Sequence, residues 1–208
     1  MDSNKFDLLF VAEKFKNSLN HEDDVLINFY LEAFREILKF FQLMGSIFGF
    51  VSSDVKSKIE ILEAFQLNNE KNEHFQSVKK MITYEQDEDL LYKKDYVSGC
   101  RTLLRLHRGL DFVRNFLKKL ETLSGSEKAD KVCSQSYNET LANFHPFFIR
   151  KAAALAIYAI PTRDQLLQKV CSDVALAIQS LPEMLQVTDV VYNRINELYS
   201  CYNLHELP

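Results

Sequence analysis

The segment of residues 101–112, RTLLRLHRGLDF, places three arginines inside a leucine-rich helical pattern. Arg101, Arg105 and Arg108 are spaced i, i+4 and i+7, so they share one face of a helix. Leucines line roughly the opposite face, and further apolar side chains lie near the arginines. A helix that is apolar on more than one side packs between other layers, and a cation held there needs an anionic partner. The segment therefore predicts a sandwiched helix that presents cations to an anion.

The composition favours one domain covering residues 1–208, because 47% of the residues are hydrophobic and no Gly/Ser/Pro-rich linker divides the chain. A net charge of −4 argues against nucleic-acid binding, which requires a basic domain. Four widely spaced cysteines predict no metal site, and no pattern calls for a cofactor. The first residues do not resemble a signal peptide, and the longest apolar run, residues 152–160, is too short to cross a bilayer. We therefore expect a soluble, cytosolic protein.

Apolar residues recur with the 3.6-residue period of a helix along the whole chain, and strand-like alternation is scarce. The predicted fold class is all-α, with seven to nine helices. Ser52 or Ser53 is expected to cap one helix, an acidic loop is expected at residues 85–89, and Thr162 begins a predicted capping box. Residues 180–183 offer a cap for the last helix.

Few residues support catalysis. The chain has no glycine-rich phosphate loop, no GxSxG elbow and no HExxH motif. Asp54 and Lys58, four apart in DVKSK, predict by themselves an ordinary helical ion pair, and His145 before Pro146 predicts a turn residue. A general acid–base role for His145 with Asp54 stays open, but nothing supplies a nucleophile or a metal. We therefore expect a protein that is not an enzyme and has no catalytic residues.

The order and spacing of three segments change this interpretation. DVKSK follows a Phe-rich segment, RTLLRLHRGLDF comes about fifty residues later, and NFHPFFIRKAA about forty beyond it. Together with SYNETLANFHP and IPTRDQLL, they resemble the glycolipid transfer protein superfamily over almost the whole chain, most closely its ceramide-1-phosphate transfer branch. The resemblance implies a two-layer, all-α fold that encloses a hydrophobic lipid pocket with a polar headgroup site at its mouth.

The resemblance also implies roles for individual residues. Asp54 would accept hydrogen bonds from the amide N–H and the nearby hydroxyl of a ceramide, and His145 would donate to the amide carbonyl. The phosphate would be bound by Lys58, Arg101 and Arg105, with Arg108 a further candidate in the same cluster. Several cations suit a phosphate monoester, which carries roughly −1.5 to −2 charges at neutral pH. The candidate residues for lining the acyl-chain pocket are Phe48, Phe50, Phe112 and Ala153.

Two positions sharpen the expected substrate. In the glycolipid-binding branch of the superfamily, an asparagine follows the aspartate by four positions and a tryptophan on the later helix stacks against the sugar. This chain has Lys58 at the first position and Arg105 at the second. Replacing an amide and a stacking ring with two cations exchanges sugar recognition for phosphate recognition.

The chain also departs from the ceramide-1-phosphate branch, because it contains no tryptophan. Positions where relatives often have one are Phe112 and Phe147 here. The neighbouring Phe148, Arg150 and Lys151 complete a candidate membrane contact of aromatic rings beside cations. An alternative buries both phenylalanines and leaves the two cations in solvent.

The sequence thus predicts a monomeric, non-enzymatic protein that transfers ceramide-1-phosphate between membranes and contacts their surfaces transiently. Transfer or sensing of a glycolipid or another anionic lipid is one alternative. A helical interaction adaptor with a regulatory lipid site is another.

Overall fold

The computed structural model describes residues 4–21 and 23–208, and helices make up most of this part of the chain. Its regular strands are the short antiparallel pair β1 (Leu19–Asn20) and β2 (Asp24–Val25), so the predicted all-α class is confirmed. The nine α-helices found in the described residues, within the predicted range, are α1 (Leu8–Ser18), α2 (Ile27–Met44), α3 (Gly49–Leu67), α4 (Val78–Asp87), α5 (Gly99–Glu121), α6 (Asp130–Thr140), α7 (Phe147–Tyr158), α8 (Arg163–Val170) and α9 (Val174–Cys201).

The arginine-bearing helix α5 is sandwiched, as its sequence pattern predicts. It packs against α3, α4, α6 and α9, and its leucines Leu103, Leu106 and Leu110 are buried. Helix α2 packs on α1, α3 and α8, while α6 packs on α7. Burial on several sides explains why the apolar stripe of α5 is wider than one face.

Aromatic side chains fix α1 against α2. Phe15, Tyr30 and Phe34 are fully buried, and the ring centroids of Tyr30 and Phe34 are 4.8 Å apart. Phe15 contacts both rings, at 5.7 Å from Tyr30 and 6.3 Å from Phe34. Such ring pairs contribute about 0.5–1.5 kcal/mol each beyond their buried area. This cluster gives α2 a rigid support behind the face that lines the functional site.

The start of α5 is held by a buried carboxylate. Glu85, on α4, is fully buried, and its Oε1 accepts hydrogen bonds from the Gly99 amide at 2.6 Å and the Tyr96 hydroxyl at 3.2 Å. Its Oε2 accepts from the Cys100 amide at 3.1 Å and from the Ser98 hydroxyl. The first amides of a helix have no partner within the helix and carry partial positive charge, so a carboxylate there stabilises the helix. The predicted acidic loop at residues 85–89 is therefore wrong at its first three residues, which belong to α4, and the first of them, Glu85, is part of the core.

The cap predicted at Ser52 or Ser53 is also wrong. Helix α3 begins at Gly49, directly after the 3₁₀ turn Ser46–Phe48, so Ser52 lies inside it and bonds the Phe48 carbonyl at 3.3 Å. Serine in a helix interior often bonds back to the carbonyl four residues earlier. The earlier start places Asp54 in the second turn of α3 rather than at its entrance.

The last helix begins earlier than predicted. Asp173 caps α9 by accepting from the Leu176 amide at 3.0 Å, while Ser180 lies within the helix and bonds the Leu176 carbonyl. The capping box at Thr162 is confirmed, with both reciprocal hydrogen bonds to Gln165 present.

Candidate functional site

A cavity of about 400 Å³ lies between α2, α3, α5, α6 and α7. This volume is within the range of roughly 300–1,000 Å³ that small-molecule sites occupy. Asp54 and Arg105 at its polar end are exposed, whereas the apolar residues deeper in the cavity are buried, so the cavity opens at the polar end. All four residues predicted to line an apolar pocket border this cavity, namely Phe48, Phe50, Phe112 and Ala153.

Helix α3 contributes an ion pair to the cavity wall. The Lys58 ammonium donates to Oδ1 of Asp54, one helical turn earlier. The Lys58 side chain is 15% exposed and that of Asp54 is 66% exposed, so the cation is the inner member of the pair. An ammonium group has three protons, and one carboxylate oxygen engages only one of them. Lys58 therefore keeps donors for a second anion.

Two arginines of α5 also line the cavity, and backbone oxygens hold them. Arg105 donates to a backbone oxygen of Pro208 at 3.0 Å, and Arg108 donates to the carbonyl of His205 at 2.5 Å. The Arg108 guanidinium lies 3.8 Å from the centre of the Phe144 ring, and burial lowers the pKa of this arginine. Neither arginine forms a salt bridge within the described part of the chain. Both therefore present a positive charge to the cavity without a carboxylate side chain bonded to it, although the Glu206 carboxylate favours the charged form of Arg108 from a distance.

Arg101 lies one turn earlier on α5, outside the residues that line the cavity. Its guanidinium donates to the carbonyl of Lys93 at 3.1 Å and to that of Tyr96. The predicted cluster thus divides into two cavity-lining arginines and one that is tied to the loop before α5.

His145 completes the polar end of the cavity, just before α7. Its Nδ1 lies 2.9 Å from the hydroxyl of Tyr137, a buried residue of α6 that also lines the cavity. Burial lowers the pKa of His145, the Asp54 carboxylate opposes this effect, and the Lys58 ammonium adds to it. The imidazole is therefore neutral at pH 7, with one nitrogen protonated.

The charges at the site suit a doubly charged anion. Among the described lining residues, three cations (Lys58, Arg105 and Arg108) and one carboxylate (Asp54) give a net charge of +2 while His145 is neutral. A group with about two negative charges balances this excess. Beside these cations, a carboxylate acceptor and a neutral imidazole can pair with a donor and an acceptor of one ligand.

The start of α7 presents aromatic rings and cations to solvent. Phe147 is 57% exposed and Phe148 is 82% exposed, so the alternative in which both are buried is wrong. Arg150 and Lys151 are also exposed, and the Lys151 ammonium lies 5.4 Å from the centre of the Phe147 ring. The structure thus brings together the rings and cations of the predicted membrane contact on one exposed segment.

Sequence reasoning missed several contributors to the site. The backbone oxygens of His205 and Pro208 have no side-chain signature, so no sequence pattern could reveal their contacts with the arginines. Tyr137 lies eight residues before His145, within the segment SYNETLANFHP that contributes to the family resemblance. Its closeness to His145 in that segment was the available signal. Phe144, under Arg108, lies in the 3₁₀ turn Ala142–Phe144.

Residues 4–21 and 23–208 form neither a side-chain cluster suited to a metal ion nor a helix suited to crossing a membrane. No group of three or more His, Cys, Asp or Glu side chains in this part of the chain is arranged to hold a metal ion. No helix there has the length and apolar character needed to cross a membrane.

Comparison with known proteins gives matches along the chain. The family model for glycolipid transfer protein matches residues 25–172. The ceramide-1-phosphate transfer protein of Danio rerio is 39% identical over 208 residues, which is 98% of each chain. The human protein of the same name is 34% identical over 208 residues, or 98% of this chain and 97% of its own.

Solved structures agree with this chain in fold. The apo form of mouse ceramide-1-phosphate transfer protein has a TM-score of 0.91 at 34% identity, covering 98% of this chain and all of the mouse chain. The human protein in complex with 12:0 ceramide-1-phosphate has a TM-score of 0.88 at 33% identity, with the same coverage. These likenesses confirm the predicted two-layer helical fold and identify its architecture with that of lipid-binding proteins.

Proposed function

We propose that this chain, which belongs to the glycolipid transfer protein family, moves ceramide-1-phosphate between membranes without catalysing a reaction. The observation that carries the proposal is that one end of an apolar cavity has a net positive charge together with an acceptor and a donor that suit an amide. Lys58, Arg105 and Arg108 meet the Asp54–His145 pair where that cavity opens. A phosphosphingolipid has the matching parts in the same order: phosphate, amide and hydrocarbon chains.

The phosphate is bound by cations whose donors are engaged by backbone oxygens. Arg105 and Arg108 donate to backbone oxygens of Pro208 and His205 in the lipid-free protein, and a phosphate can engage each guanidinium by two parallel, charge-paired hydrogen bonds. Lys58 adds a third cation from the facing helix. Arg101 is the fourth proposed contact, one turn away on the same helix, and it would exchange the Lys93 and Tyr96 carbonyls for the phosphate.

The amide is recognised by the remaining two side chains. A carboxylate is an acceptor only, so Asp54 accepts from the amide N–H. The neutral His145 donates one proton to the amide carbonyl. A diacylglycerol backbone has no N–H for Asp54, so the pair favours a sphingoid lipid over phosphatidic acid.

The apolar part of the cavity supplies the transfer function. Each methylene that leaves water contributes about 0.8 kcal/mol, so a sixteen-carbon chain costs on the order of 12 kcal/mol to expose. Residues such as Phe48, Phe50, Phe112 and Ala153 would shield the chains during passage through water. The protein lowers the barrier to escape from a membrane, and no bond of the lipid is changed.

Loading and unloading require contact with a membrane, which we assign to the start of α7. The exposed rings of Phe147 and Phe148 would enter the interfacial region, while Arg150 and Lys151 would approach anionic headgroups. In this proposal the protein acts as a cytosolic monomer, with residues 1–208 as one lipid-transfer domain, and its membrane contact is transient.

A vesicle-to-vesicle transfer assay with fluorescent lipids tests the proposal. We expect rapid transfer of ceramide-1-phosphate, slow transfer of galactosylceramide and of phosphatidic acid, and a large loss of ceramide-1-phosphate transfer in Arg105→Leu. Lys58→Leu should also lose transfer, whereas Lys56→Leu, on the same helix but outside the cavity, should not. Equal rates for galactosylceramide and ceramide-1-phosphate, or full activity of Arg105→Leu, would refute the assignment.

A further inference from the structure

We propose that Tyr137 is a positioning residue that sets the tautomer of His145, so that Nε2–H faces the lipid amide. This inference rests on the proposed function, which requires a proton donor toward the amide carbonyl. A neutral imidazole carries its proton on either Nδ1 or Nε2, and only one arrangement leaves a donor on the side of the ring away from Tyr137.

The hydrogen bond between Tyr137 and His145 shows which ring nitrogen of His145 is engaged within the protein. The Tyr137 hydroxyl lies 2.9 Å from Nδ1 of His145, and both residues line the cavity. Within residues 4–21 and 23–208, His145 Nε2 has no hydrogen-bond partner in the protein. Nδ1 is therefore engaged inside the protein and Nε2 is free for a ligand.

The surroundings of the hydroxyl decide the direction of this bond. Tyr137 is 8% exposed, and its hydroxyl makes no second hydrogen bond to the described residues. If Nδ1–H donated to the hydroxyl, the phenol proton would have no acceptor among the described residues, and a hydrogen bond left unmade within the protein costs free energy. If the phenol donates to Nδ1, its proton is satisfied and the imidazole proton lies on Nε2.

The surroundings of Tyr137 hold its ring in place and keep its hydroxyl protonated. The Tyr137 ring packs edge-on against Phe112, at a centroid distance of 6.5 Å, and burial raises the pKa of its hydroxyl. The phenol therefore stays protonated and able to donate. Because the pair lies eight residues apart across the turn from α6 to α7, it also fixes the orientation of the imidazole at the cavity mouth.

Nitrogen-15 NMR of the lipid-free protein tests the tautomer directly, with His145→Gln used to assign the signals. We expect a protonated Nε2 and an unprotonated Nδ1 in the wild type, and a measurable Nδ1–H population in Tyr137→Phe. Tyr84→Phe is the matched control, because Tyr84 stacks on His74 at 4.2 Å without a hydrogen bond between them. A wild-type His145 with its proton on Nδ1 would overturn the proposal, whether or not any variant folds.

Transfer of ceramide-1-phosphate tests the consequence. Loss of the positioning hydrogen bond in Tyr137→Phe should slow transfer about three- to tenfold, with a melting temperature close to that of the wild type. In a His145→Gln background, Tyr137→Phe should have no further effect, because the tyrosine acts through the imidazole. An equal loss in both backgrounds would assign Tyr137 another role. Failure of the wild type to transfer the lipid would refute the proposed function but leave the tautomer result standing.

Discussion

The buried carboxylate of Glu85 supports the strongest prediction about stability. Glu85→Gln keeps the size of the side chain but replaces one acceptor oxygen with an NH₂ group. Each carboxylate oxygen of Glu85 accepts two hydrogen bonds. The nitrogen that replaces one of these oxygens in glutamine cannot accept, so the two donors facing it lose their acceptor. The pair that is lost is either Ser98 with Cys100 or Tyr96 with Gly99.

The expected loss follows from these two bonds. A hydrogen bond to a charged group contributes roughly 1.5–3 kcal/mol, so the substitution should lower the free energy of unfolding by about 3–6 kcal/mol. For a chain of this length each kcal/mol lowers the melting temperature by about 2–4 °C, which gives a fall of roughly 6–24 °C. The loss should be large because Glu85 is fully buried and water cannot replace the missing acceptor.

Urea unfolding followed by circular dichroism measures this difference. Glu88→Gln is the matched control, because Glu88 ends the same helix but is exposed, and we expect it to change stability by less than about 0.5 kcal/mol. If Glu85→Gln behaved like this control, the conclusion that the carboxylate anchors the start of α5 would be wrong.

Three further predictions concern the cavity, the exposed rings and a buried histidine. Ala153→Phe places a ring in the cavity, so transfer of long-chain ceramide-1-phosphate should fall at least roughly tenfold without a lower melting temperature by calorimetry; wild-type rates would show that the chains bind elsewhere. Phe148→Ser should weaken vesicle binding in a flotation assay by about 1.5–3 kcal/mol, whereas Phe10→Ser, an exposed ring on α1, should not, and equal binding would exclude α7 as the docking segment. Burial lowers the pKa of His107 to about 3, so its contribution to stability is complete above the unfolded-state pKa near 6.5 and is lost as pH falls toward 3. In urea titrations across this range, the wild type should lose up to about 1.4 kcal/mol per pH unit more than His107→Leu, and parallel pH profiles would contradict the assignment.

The helical class and the sandwiched position of α5 could be predicted from the sequence, because both depend on apolar spacing. Leucines at helical intervals on more than one side of residues 101–112 require neighbours on several sides, and α5 has them. Helix starts were harder to predict. Ser52 and Ser180 match the composition of a cap, but each lies within a helix and bonds the carbonyl four residues earlier.

The candidate site was predictable where it depends on side-chain types and not where it depends on tertiary contacts. Asp54, Lys58 and Arg105 carry chemistry that a resemblance can assign, and they line one cavity. Arg101 looks equivalent to Arg105 in the sequence, yet its guanidinium is held by carbonyls of the preceding loop. Glu85 looks like one acid in an exposed acidic run, and only the approach of α5 to α4 makes it a core residue.

The cavity also has a consequence for the lifetime of the protein in a cell. An empty apolar hollow removes packing contacts, and at about 24 cal/mol per Å³ a dry volume of this size would cost on the order of 10 kcal/mol. Whole domains are stable by only about 5–15 kcal/mol, so even a part of that cost is a large fraction of the total. In the proposed function, a bound lipid would fill the hollow and would stabilise the folded chain by mass action. Chains without lipid would then unfold and be degraded first, and the amount of protein would follow the supply of its own cargo.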